Sequence, residues 1–113
     1  MTARVDLQRL EALAQLVLDQ RLGQLRQNTT ELDRSYKQLA AINAAAAPAD
    51  LPPVAAGLVE INYGRWADSR RAELNAVIAR QRVAVIEAKA EATLAFGRLH
   101  ALQGAAAKVA RRS

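Results

Sequence analysis

The stretch Leu74 to Val109, LNAVIARQRVAVIEAKAEATLAFGRLHALQGAAAKV, decides the fold. Through it Leu74, Ile78, Gln81, Val85, Ala88, Ala92, Ala95, Leu99, Leu102, Ala106 and Val109 follow one another in alternating steps of four and three. Side chains recurring about every 3.5 residues form one stripe along a helix, and another helix is the surface that buries such a stripe. A partner helix is present upstream. Leu22, Leu25, Thr29, Leu32, Tyr36 and Leu39 keep the same spacing, and Leu7, Leu10 and Ala14 keep it in a different phase. Passing between the two phases through Leu18 requires a stutter near Val17 and Leu18, which would locally unwind the supercoil.

Between the two runs lies the strongest group of helix breakers, Pro48, Pro52 and Pro53. Proline is excluded from a helix interior but accepted in a first turn, and Asp50 is a candidate N-cap. The expected fold is therefore all-α: an antiparallel two-helix coiled-coil hairpin, an elongated rod formed by residues 1–113 as one domain. Helix one is expected over about 3–46, the Pro-rich turn over about 47–53, and helix two over about 53–110. Gly57 and Asn62-Tyr63-Gly64 weaken the start of helix two and admit an interruption near 57–64. At about 1.5 Å per residue the second arm is the longer and should overhang the first at its basic C-terminal end. Small Ala88, Ala92 and Ala95 permit a close helix approach, and Gln81 is a polar seam residue of the kind that sets register.

Composition agrees with a helical protein lacking a large core. The 113 residues include one Trp, two Tyr and one Phe, and no Cys. No disulfide framework is available, which fits a reducing compartment. No apolar run approaches the roughly 20 residues that cross a bilayer, and the first residues lack the apolar stretch of a signal peptide, so a cytoplasmic protein with no membrane insertion is expected. Of the net charge of +5, +1 falls in residues 1–47 and +4 in residues 48–113. The basic Lys108, Arg111 and Arg112 also complement the negative end of a helix dipole.

Chemistry finds little footing. His100 is the single histidine, and no glycine-rich phosphate loop, nucleophile elbow or metal-binding helix motif occurs. No catalytic residue, cofactor or metal is expected. Arg65, Arg70, Arg71, Arg80 and Arg82 with Tyr63 and Trp66 combine charge with stacking surfaces, but Glu60, Asp68, Glu73 and Glu87 interleave them, so nucleic acid ranks third among the partners. A second apolar line outside the seam, Ala79, Val83, Ile86, Ala90 and Leu94, cannot be buried by the same helix that covers the first. Val83, Ile86 and Leu94 are thus candidate partner-binding residues, for another protein or for self-association.

A basic, cysteine-free helical hairpin, with aromatics early in helix two followed by Arg70-Arg-Ala-Glu-Leu-Asn75 and a helix rich in Ala, Arg and Glu, resembles the FliJ-like stalk proteins of flagellar type III export. The chain is shorter than the usual member and lacks its dense Lys/Glu charge. The resemblance implies a non-enzymatic stalk whose two termini enter the ring of the export ATPase and whose coiled coil contacts the membrane export gate through protein partners. Lys108, Arg111 and Arg112, with Arg4 and Arg9, would then face the ring. The alternative is a self-assembling structural or adaptor coiled coil.

Overall fold

The computed structural model describes residues 2–45 and 52–112. They form two α-helices, α1 (Thr2–Ala44) and α2 (Pro53–Arg112), arranged as an antiparallel hairpin. The Pro48 turn and the Asp50 cap lie outside the described residues. The first intrahelical bond of α2 runs from the Ala56 N–H to the Pro52 carbonyl at 2.8 Å. Pro52 thus caps the helix, and Pro53 takes the first helical position, where a missing N–H costs nothing.

The chain falls into two compact units, one of Met1–Thr29 with Ala84–Ser113 and one of Thr30–Val83. In the first, Leu18 packs on Ala95 and Leu99, with Ala14 beside them. Arg21 meets Glu91 and Asn28 meets Ala84, so residue numbers rise on α1 as they fall on α2. In the second unit, Ile42, Ala67 and Leu74 are buried together, with Leu39 and Tyr63 against them.

The α2 seam is the one read from its heptads. Leu74, Ile78, Ala88, Ala92, Ala95 and Leu99 are buried, while Gln81, Val85, Leu102, Ala106 and Val109 are half-buried. The seam also continues upstream to Ala67, which is 1% exposed.

The α1 seam differs from expectation, and no stutter is needed. Leu7, Glu11, Ala14, Leu18, Arg21, Leu25, Asn28, Leu32, Ser35, Leu39 and Ile42 are all at least half-buried, in one unbroken phase of fours and threes. Leu10, Leu22 and Tyr36, expected in the seam, are 49%, 39% and 44% exposed, and Thr29 is exposed as well. Polar residues hid the true phase. Arg21, Asn28 and Ser35 occupy seam positions because each keeps its polar end supplied. Arg21 Nη1 donates to Glu91 Oε2 at 3.1 Å, Asn28 Nδ2 donates to the Ala84 carbonyl at 3.4 Å, and Ser35 Oγ donates to the Glu31 carbonyl at 3.3 Å. A polar group in a seam is tolerated when hydrogen-bonded.

Two further expectations are corrected. Helix α2 passes unbroken through residues 57–64. No glycine adopts a positive φ, and the cost of a helical glycine, about 1 kcal/mol, is too small to break a helix held by packing on either side. The overhang lies at the start of α2 instead of at its basic end. In the first unit Arg4 and Leu7 share a groove with Ala106, Val109 and Ala110, so the helices finish level there. In the second unit Asn43 pairs with Arg71, eighteen residues into α2, so the first turns of α2 from Pro53 run past the end of α1.

Candidate functional site

The last carbonyls of a helix lack partners within it, and α2 supplies one of them at the end of α1. The Tyr63 hydroxyl donates to the Ile42 carbonyl at 2.9 Å. Nearby, Arg71 Nε donates to Asn43 Oδ1 at 2.8 Å. Tyr63 also lies against Trp66, with ring centroids 5.6 Å apart. Two members of the basic-aromatic cluster, Tyr63 and Arg71, thus help close the hairpin, while Trp66 and Arg65, Arg80 and Arg82 stay exposed, and two of the arginines are paired with acids. Arg70 pairs with Glu73 and Arg71 with Asp68, each by way of neighbouring turns of the same helix.

The candidate partner residues are accessible. Val83 is 54%, Ile86 67% and Leu94 60% exposed. Of the three, Leu94 lines a shallow groove in the first unit together with Val17, Arg21, Glu91, Ala95 and Arg98. Val17 shares one face of α1 with Leu10 and Leu13, at i, i+3 and i+7. All three are exposed, Leu13 the most at 58%. The other flank of the same unit carries a second apolar groove of about 420 Å³, with Leu18, Leu22 and Leu25 facing Ala92 and Phe96 and Lys89 at its rim. Of these α1 residues, the spacing predicts Leu10 and Leu22 in the seam and assigns Leu13 no stripe, so local periodicity does not reveal their place on the flanks. The unbroken phase through Arg21, Asn28 and Ser35 is the signal that releases them to the flanks.

Lys108, Arg111 and Arg112 are exposed at the end of α2, and Arg4 and Arg9 are exposed at the start of α1. Asp6, also exposed, and the half-buried Glu11 offset part of this charge. Among the described residues no group of three or more His, Cys, Asp or Glu is placed to hold a metal ion. His100 stacks on Phe96, ring centroids 6.2 Å apart, as a surface side chain. No helix among the described residues is long and apolar enough to cross a membrane.

Compared with protein-family models, with curated proteins and with solved structures, the chain has no match.

Proposed function

We propose that this chain is a non-enzymatic coiled-coil stalk that works by protein contact, inserting its paired termini into a ring-shaped export ATPase in the cytoplasm. The observation that supports this reading is the level, basic end of the first unit, where Arg4, Arg9, Lys108, Arg111 and Arg112 are all exposed. A pair of packed helices is stiff and narrow, about 20 Å across, which suits the axis of a ring. Mobile cations on its surface make contacts that hold without locking, and such contacts weaken with salt. The resemblance to FliJ-like proteins points the same way, with the export gate as a second partner.

The test is ATP hydrolysis by the purified export ATPase of the source cell, with and without the chain, at two salt concentrations. The intact chain should raise hydrolysis or ring assembly. Lys108→Glu, Arg111→Glu and Arg112→Glu together should reduce the stimulation while circular dichroism shows the same helicity. No stimulation by the intact chain at either salt concentration would reject the stalk. Self-assembly without an ATPase is the second reading, favoured by the exposed aliphatic side chains of the first unit.

A further inference from the structure

We infer that the ridge formed by Leu10, Leu13 and Val17 of α1 with Leu94 of α2 binds a second copy of this chain, giving an antiparallel four-helix bundle about a two-fold axis near Leu94. The inference deepens the second reading, self-assembly, and competes with the stalk for the basic end: a second copy laid antiparallel about Leu94 runs alongside α2 from Leu94 to Arg112, so the pair must part before that end enters a ring.

Area is the first argument. The chain exposes 8495 Å², whereas a monomeric globular protein of 12.2 kDa exposes roughly 6,100 Å² by the usual scaling with mass. The excess is more than the roughly 800 Å² that each partner buries in a standard interface. The burial inside the hairpin is also slight, because three of the buried seam residues in the first unit are the alanines Ala88, Ala92 and Ala95. Leu10, Leu13, Val17 and Leu94 meanwhile stay 39% to 60% exposed. A helix pair with apolar residues on an outer flank completes its core by adding helices.

Charge is the second argument, and it selects the occupant. Along the ridge edge of α2, Arg80, Glu87 and Glu91 precede Leu94, while Arg98 and Lys108 follow it, and the span next to Leu94 runs from acidic Glu87 to basic Arg98. Glu91 is held by Arg21 at 3.1 Å. Glu87 and Arg98 are exposed and have no ion pair among the described residues. They are separated by three helical turns, about 16 Å, with Leu94 near the midpoint. Over the span from Glu87 to Arg98 a partner of one charge sign would satisfy one end and be repelled by the other. A second copy laid antiparallel sets each Glu87 against the other copy's Arg98, twice, by the self-complementarity of a two-fold interface.

Sedimentation equilibrium of the full chain over a range of concentrations tests this. The expected mass is twice 12.2 kDa, falling to one chain on dilution. Val17→Gln with Leu94→Gln should weaken association at least tenfold with unchanged helicity, because both side chains are exposed. Arg98→Glu alone and Glu87→Arg alone should each weaken it, and the two together should restore it. A single-chain mass at every concentration overturns the inference and leaves the ridge to a different protein. So does a dimer indifferent to Val17→Gln with Leu94→Gln, a dimer broken instead by Leu22→Gln with Phe96→Gln, or a double charge reversal that fails to rescue.

Discussion

The Tyr63 hydroxyl sits 2.9 Å from the Ile42 carbonyl, joining the part of α2 next to its overhang to the last turn of α1. The bond forms at a position where Ile42 itself is 7% exposed. Tyr63→Phe keeps the ring against Trp66 and removes the bond. The expected loss is about 1 kcal/mol, read as a lower midpoint in urea at unchanged slope.

Gln81 carries the opposite situation. Its Oε1 is buried and accepts no hydrogen bond from the described residues. An unsatisfied buried oxygen costs about 1 to 3 kcal/mol, so Gln81→Leu should stabilise the hairpin by about 1 kcal/mol or more in chemical denaturation. The polar group would then be kept for register, and loosened helix pairing in Gln81→Leu, seen by cysteine cross-linking across the seam, would show that role.

Side-chain size should matter at the seam and not on the outer face. Ala95 is 3% exposed between Leu18 and Leu99. Ala95→Leu should therefore cost about 1 to 3 kcal/mol by overpacking. Ala90→Leu, five residues away and exposed, should change stability by less than about 0.5 kcal/mol. Thermal unfolding of the two variants side by side checks the seam assignment, and equal effects would mean that α2 is rotated from its described position.

The α2 seam was legible because its buried residues are nearly all apolar and recur strictly from Leu74 to Val109. The α1 seam was not, because hydropathy marks Leu22 and Tyr36 above Arg21 and Ser35 although the latter are the covered ones. What rescues Arg21 is Glu91, seventy residues away. A partner that distant leaves no trace in local periodicity. The direction of the overhang was hidden for a related reason: helix lengths give its size, but only interhelical pairs such as Asn43 with Arg71 give its end. The partner-binding residues were read as exposed from the surplus of apolar positions on α2, and their neighbours on α1 became visible only once the α1 phase was corrected.

Gly23 offers a separate check on the continuity of α1. It is helical, with no side chain or neighbouring backbone within 4 Å of where a Cβ would stand. Gly23→Ala should raise stability by about 0.5 to 1 kcal/mol in thermal unfolding. A loss would reveal a bend at this position that the unbroken seam does not require.

The stalk reading is tested most directly by the stoichiometry of binding between the purified chain and the assembled ring of the export ATPase, measured by sedimentation of labelled chain with ring. A helix pair seated in the axis excludes a second, so saturation should come at one seated hairpin per ring, with affinity that falls as salt rises. Saturation at one hairpin per ATPase subunit, or no co-sedimentation at low salt, would contradict it.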